Sequence, residues 1–247
     1  MFLNIAWLYP DLMSTYGDRG NIIVLEKRLS WRGIKAVIKK IFISSPEEEL
    51  EDCDLIFMGG AQDKQQEIVN RDLKKNKGKI LKKMINQGIP GLFICGAYQF
   101  MGRYYKAADG TTIPGLGLFD LYTESPGLKA KRLIGNILIQ PKIFSSDVKF
   151  IGFENHGGRT YIKDKSFVFA KVLKGFGNNG KDRGEGFIYK NAIGTYLHGP
   201  ILPKNPELAD YLLEKALEVK YKKKIRLKKL DDRLENQARD VIIRRYL

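Results

Sequence analysis

The chain has 247 residues, 43% of them hydrophobic, and a formal net charge of +15. That length holds one large α/β domain, or one domain with an appendage, and the apolar content excludes global disorder. Two cysteines and two histidines exclude a disulfide framework, and neither C-x-x-C nor a paired His or Cys spacing marks a metal site.

Residues 3–9 form an apolar run that reads as a first strand. The run is too short and lacks the basic flank of a signal peptide, and no apolar stretch approaches the ~20 residues that span a bilayer. A reducing, cytoplasmic setting is the natural expectation. A polar turn over 10–21 follows, then a helix with Ile22, Leu25, Glu26 and Leu29 at three- to four-residue spacing and Gly33 as its stop. Residues 36–43 and 54–58 are the second and third strands, and the third ends at Gly59-Gly60. Helical patterns over 62–75 and 78–86 precede a strand over 90–94 that delivers Cys95. This alternation predicts a three-layer αβα sandwich with a mainly parallel central sheet. Ligands in such folds sit beyond the carboxyl ends of the strands, where Cys95, Gly59-Gly60 and the turn holding Asp18 all fall.

The second half is more strand-like, with candidates at 119–123, 133–139, 149–153, 167–172, 186–189 and 192–196. The glycines at 175, 177, 180, 184 and 186 read as a hairpin or loop, since no phosphate-loop or dinucleotide fingerprint is present. Asn205-Pro206-Glu207 has the look of a helix start, with Asn as N-cap, for a helix reaching about 219. A last helix is expected over 231–245, with Leu234, Ala238, Val241 and Ile242 on one face. The expected division is a domain over 1–219 and a basic helical tail over 220–247. The tail carries 11 Lys and Arg against 4 Asp and Glu, +7 of the +15. An anionic partner and a merely solvated basic helix both fit it.

Few residues can do covalent chemistry. At Gly91-Leu92-Phe93-Ile94-Cys95-Gly96-Ala97-Tyr98-Gln99 an apolar run stops at a cysteine, and a glycine and a helix-forming stretch follow. That is the pattern of a strand-to-helix elbow presenting a nucleophile. At a helix start a thiolate is favoured by the dipole and the free amides. The Gly96 N–H can then donate to a developing oxyanion, and a Gly-Gly turn lets Gly60 approach as a second donor. The alternative is an inert buried cysteine. His198, in Gly194-Thr195-Tyr196-Leu197-His198-Gly199-Pro200, ends the last strand and can act as base and then acid, or can be a loop histidine. His156, in Phe153-Glu154-Asn155-His156-Gly157-Gly158-Arg159-Thr160, is the other candidate base, although its polar neighbours look more like a binding loop.

These segments together resemble the triad-type (class I) glutamine amidotransferases, in the branch shared with cobyric acid synthase. Ile94-Cys95-Gly96-Ala97-Tyr98-Gln99 resembles that branch's I-C-G-G-Y-Q. The segments around His156 and His198 resemble its substrate-loop and histidine motifs. Leu8-Tyr9-Pro10-Asp11-Leu12-Met13, Thr15-Tyr16-Gly17-Asp18-Arg19-Gly20-Asn21, Gly59-Gly60-Ala61-Gln62-Asp63 and Arg132-Leu133-Ile134-Gly135-Asn136 narrow the likeness to stand-alone glutaminase subunits of cell-wall synthesis. The likeness covers about residues 3–213.

The resemblance implies a flavodoxin-like fold and the following chemistry. Cys95 attacks the side-chain amide of L-glutamine, Gly60 and Gly96 hold the oxyanion, and His198 protonates the departing ammonia and then activates water. Gln99, Asn155, His156 and the 154–158 loop would hold glutamine, with Arg132 forked onto its carboxylate. The resemblance implies no metal or cofactor in this chain. Ammonia would pass to a Mur-ligase-like partner in a heterodimer, dependent on ATP and Mg, that amidates D-glutamate of the lipid II stem peptide to D-isoglutamine. The chain would be cytoplasmic, peripheral to the inner membrane face through the lipid-linked substrate, and would bind no nucleic acid.

Two positions depart from the family pattern. Ala97 stands where Gly is usual, which is tolerable at negative φ and costly at positive φ. Pro200 stands where the wider class has a glutamate that orients the histidine. This leaves a Cys–His dyad, or a carboxylate from elsewhere; Asp18 is the candidate third member, its alternative role being N-cap of the first helix. Readings outside the family are a polyanion-binding module, supported by charge alone, and another cysteine hydrolase such as a peptidase or esterase.

Overall fold

A computed structural model of the chain describes residues 1–14, 17–61 and 63–246. Thr15 and Tyr16 of the expected first turn, Gln62 at the expected start of a helix, and Leu247 lie outside the described residues. The first half runs β1 (Phe2–Leu8), α1 (Arg19–Ser30), β2 (Lys35–Ile41), α2 (Glu48–Glu51), β3 (Leu55–Met58), α3 (Asp63–Asp72), α4 (Gly78–Asn86), β4 (Gly91–Ile94) and α5 (Gly96–Met101). A π-helical turn, Leu73–Lys77, joins α3 to α4. The second half runs β5 (Tyr104–Lys106), β6 (Thr112–Pro114), β7 (Leu121–Glu124), β8 (Leu133–Pro141), β9 (Phe150–His156), β10 (Arg159–Ile162), β11 (Val168–Lys174), β12 (Gly184–Tyr189), β13 (Ala192–Thr195), α6 (Pro206–Tyr221) and α7 (Arg233–Tyr246).

Every residue of β3, β4 and β13 is buried. Such runs stay apolar throughout because both faces of the sheet are covered. Along β1 the side chains alternate between two cores. Leu3, Ile5 and Trp7 pack with Leu25 and Leu29 of α1 and with Leu212 and Leu213 of α6. Ala6 and Leu8 pack on the opposite face with Leu81 and Ile85 of α4 and Phe100 of α5. The result is the three-layer sandwich.

The large sheet has nine strands in the order β2-β1-β3-β4-β13-β12-β11-β8-β9. It is parallel from β2 to β13 and antiparallel from β13 to β9. The parallel half places the carboxyl ends of β1, β3, β4 and β13 side by side. The glycine-rich residues 175–183 form the β11–β12 hairpin loop. A second sheet, β10-β7-β5-β6, has strands of three or four residues. Only β7 among them was expected from sequence, since the others are too short for alternation to register.

The basic tail folds back onto the body. Arg28 of α1, 2% exposed, is bidentate to Asp210 of α6 and also bonded to Asp232. Arg32 donates to Lys228 O and to Asp210, and Arg239 of α7 is bidentate to Glu207. No described helix is long and apolar enough to cross a membrane.

Candidate active site

Cys95 is half-buried and adopts φ 51°, ψ −104° between β4 and α5. A non-glycine residue there is strained, and neighbouring bonds impose the bend. Cys95 N–H donates to Thr195 O of β13 at 2.8 Å, while Cys95 O accepts from Gln99 N at 3.0 Å inside α5. The elbow is closely covered: a Cβ on Gly96 would lie 2.6 Å from Gln66 Nε2. Ala97 is buried and is not among the positive-φ residues, so its methyl is accommodated.

His198 follows β13 and is fixed by a two-way backbone bridge to Phe153, with His198 N–H on Phe153 O at 2.8 Å and Phe153 N–H on His198 O at 3.2 Å. Its Nδ1 stands 3.6 Å from Asp18 Oδ1, both side chains being essentially sealed from solvent. The other Asp18 oxygen accepts the Gly60 N–H at 2.7 Å. A Cβ on Gly60 would lie 2.9 Å from His198 Cε1 and 3.3 Å from Cys95 Cβ, so Gly60 lies directly against both side chains. The structure thus brings Cys95, His198, Asp18 and Gly60 together. Burial pulls the His198 pKa down, but the Cys95 charge and hydrogen bonding to Asp18 and Cys95 outweigh it, and the value is pushed up to about 10.

Two expectations change here. Asp18 occupies the N-cap position of α1 but makes no capping bond, because its carboxylate is turned to Gly60 and His198. The Gly60 N–H, expected to be an oxyanion donor, is already taken by Asp18. Pro200, where the wider class has its glutamate, packs against Gly20, whose missing side chain makes room for it.

The residues expected to hold glutamine form a second group. Arg132 donates through Nε to Asn155 Oδ1 and through Nη2 to Asn155 O, both at 2.8 Å. Residues 154–156 belong to β9 rather than to a loop, and only Gly157-Gly158 turns the chain into β10. Glu154 is buried and accepts from Phe176 and Gly177 N–H at 2.7 and 2.8 Å, so it holds the glycine-rich hairpin. His156 stacks on Tyr196 with centroids 3.6 Å apart, its Nδ1 lies 2.8 Å from Gly158 O, and burial lowers its pKa. A histidine locked in this way is a wall of the site, and the geometry sets His198 rather than His156 beside Cys95. Gln99 Nε2 donates to Tyr196 OH at 3.1 Å, and that hydroxyl also contacts Thr160 Oγ1 at 2.6 Å.

Sequence reasoning missed Tyr196 and Glu185. Tyr196 lies inside the histidine motif, so a signal was present. Glu185 is fully buried, accepts from Thr195 Oγ1 and Tyr196 N–H at 2.7 and 2.8 Å, and is pushed up to about 8 by burial. It braces the β13 end that carries His198, and nothing local marks it. Among the described residues no cluster of three or more His, Cys, Asp or Glu is placed to hold a metal ion.

Residues 4–206 match the CobB/CobQ-like glutamine amidotransferase domain. The chain belongs to this family. It is 45% identical over 246 residues to the lipid II isoglutaminyl synthase (glutamine-hydrolyzing) subunit GatD of Staphylococcus aureus strain N315, across 98% of this chain and 96% of that relative. It is 40% identical over 235 residues to the subunit of the same name from Streptococcus pneumoniae strain ATCC BAA-255 / R6, across 95% of this chain and 88% of that one. A glutamine amidotransferase crystal structure from Thermotoga maritima shares the fold, with TM-score 0.51 and 15% identity over 97% of this chain and 93% of that one.

Proposed function

We propose that this chain is the glutaminase subunit of a lipid II isoglutaminyl synthase. The observation that carries the chemistry is the convergence of Cys95, on a strained elbow, with buried His198 and Asp18 at the carboxyl edge of the parallel strands. Glutamine binds with its side-chain amide at Cys95 and its α-carboxylate toward Arg132, while Gln99, Asn155 and the His156–Tyr196 stack shape the walls. The Cys95 thiolate adds to the amide carbon. The carbonyl oxygen becomes an oxyanion facing the first amide of α5, Gly96 N–H. Gly60 can donate as well only by giving up Asp18. The protonated His198 passes its proton to the leaving nitrogen, the C–N bond breaks, and ammonia and a Cys95 thioester remain. His198, now neutral, takes a proton from water, whose hydroxide displaces the thiolate and releases glutamate. Asp18, on the Nδ1 side, keeps Nε2 directed at Cys95.

Ammonia then goes to a Mur-ligase-like partner subunit that uses ATP and Mg to amidate the α-carboxylate of D-glutamate in the lipid II stem peptide. This partner places the complex at the inner membrane face. The support is the subunit named in the two relatives, matched along nearly their whole lengths.

The test is glutamine turnover in the purified complex. Cys95→Ala should abolish glutamate release with the fold retained by circular dichroism, and His198→Ala should slow it at least ~10²-fold. Turnover surviving in Cys95→Ala would remove the proposed nucleophile. Recovery of an unrelated acceptor enzyme on co-purification would reassign the pathway while leaving the glutaminase intact.

A further inference from the structure

This inference rests on the glutaminase reading above. Glu185 of β12 is fully buried and has no ion-pair partner among the described residues, and its Oε2 is sealed without a hydrogen bond. Burying a carboxyl without a counter-charge is costly, and a residue that only filled this space would be apolar. Gly186 beside it adopts φ 67°, and a Cβ there would lie 2.6 Å from Gly194 O. β12 therefore runs close against β13 at this point.

The other carboxyl oxygen, Oε1, accepts from Thr195 Oγ1 at 2.7 Å and from Tyr196 N–H at 2.8 Å. Thr195 is a junction of the site. Its carbonyl accepts the Cys95 N–H at 2.8 Å, and its hydroxyl oxygen accepts the Leu197 N–H at 3.1 Å. The nucleophile and the residue before His198 thus hang on one threonine. A hydroxyl has a single proton to give. Giving it to Glu185 leaves the lone pairs of Oγ1 for Leu197. The backbone of Cys95 is strained at φ 51°, and such strain persists only where surrounding bonds over-determine it. The bond to Thr195 O is one of them.

We propose that Glu185 is a positioning residue for glutamine hydrolysis, fixing Thr195 so that the Cys95 elbow and the His198 strand end are held in register with each other. It touches neither the substrate nor the reacting atoms and acts through the threonine.

The experiment measures glutamine turnover in the purified complex, with wild type beside Glu185→Gln, Glu185→Leu and Thr195→Val. Glutamine keeps an acceptor oxygen at this position, and leucine removes it at similar size. Glu185→Leu and Thr195→Val should each lower kcat at least ~10-fold with KM little changed, and alkylation of Cys95 by a glutamine-analogue affinity label should slow in step. Glu185→Gln should restore most of kcat. The Glu185→Leu, Thr195→Val double variant should be no slower than Glu185→Leu, because both changes remove the same bond. Thr195→Val, which keeps the backbone carbonyl, carries the test if Glu185→Leu does not fold. Wild-type kcat in Thr195→Val, or a Glu185→Gln variant as slow as Glu185→Leu, overturns the positioning role and leaves the glutaminase reading standing. A wild-type complex that releases no glutamate overturns both.

Discussion

Asp18 has a carboxylate with two neighbours, and they fix the electrostatics of the site. One oxygen holds the Gly60 amide and the other faces His198. With His198 held near 10, the imidazolium that protonates the leaving nitrogen persists through neutral pH. Glutamine turnover should therefore fall as the pH rises through about 10. Asp18→Asn removes one of the contacts raising that value. It should bring the alkaline limb down and reduce kcat by ~10²-fold or more; a limb that does not move would leave Asp18 a purely structural role. The same raised pKa has a stability consequence. The contribution of His198 is fully present below its ordinary value of 6.5 and is lost as the pH climbs through about 10, which urea midpoints taken across that window should follow. Gly60→Ala tests close approach directly, because the new methyl would stand 2.9 Å from His198 Cε1. Turnover should drop at least ~10²-fold, with a smaller change in melting temperature than a core truncation gives. Cys95 and His198 stood out as candidates in sequence because an elbow and a strand end are local patterns, but His156 stayed a rival base until the fold set His198 beside Gly60 and Asp18. The Gly60–Asp18 bond was not legible, because the competition for one amide is decided only when the two turns meet.

At the scale of elements, the apolar runs at β1, β3, β4 and β13 announced buried strands, and periodicity placed α1, α4 and α6 close to their observed limits. Asn205 shows where such reading stops. The Asn-Pro-Glu signal does mark the start of α6, but the Asn205 side chain caps nothing there. Its Oδ1 accepts from Ile151 N–H, and its Nδ2 donates to Ile151 O and Ile201 O at 2.9 and 2.7 Å. The residue ties β9 to the helix entry just beyond His198. Asn205→Ala should cost about 2 kcal/mol or more, since three buried backbone groups lose partners, and should lower kcat by loosening the Phe153–His198 bridge. A chemical denaturation curve and a turnover assay on the same preparation read both effects. The strands β5, β6 and β10 escaped sequence reading because three or four residues carry too little alternation to register.

For the whole molecule, the family match ends at residue 206, whereas identity with the Staphylococcus aureus relative runs over 98% of the chain. The extra length is bound to the body through Arg28, which is buried between Asp210 of α6 and Asp232 ahead of α7. Arg28→Ala would strand two carboxylates at this seam. The expected loss is about 3 kcal/mol, the scale for breaking a largely buried pair, visible as a lower melting temperature with Cys95 labelling retained below it. A loss confined to surface-pair size would show that α7 is not anchored there. The sequence by itself determined the strand-helix order and narrowed the candidate nucleophile to Cys95 and the candidate base to two histidines, because hydrophobic period, turn chemistry and a scarcity of reactive side chains are written within a few neighbouring residues. Only the tertiary structure decided that Asp18 faces His198, that Gly60 gives its amide to that carboxylate, and that β2 stays an open edge. Those outcomes depend on which strands lie side by side, and no local stretch of chain carries that information.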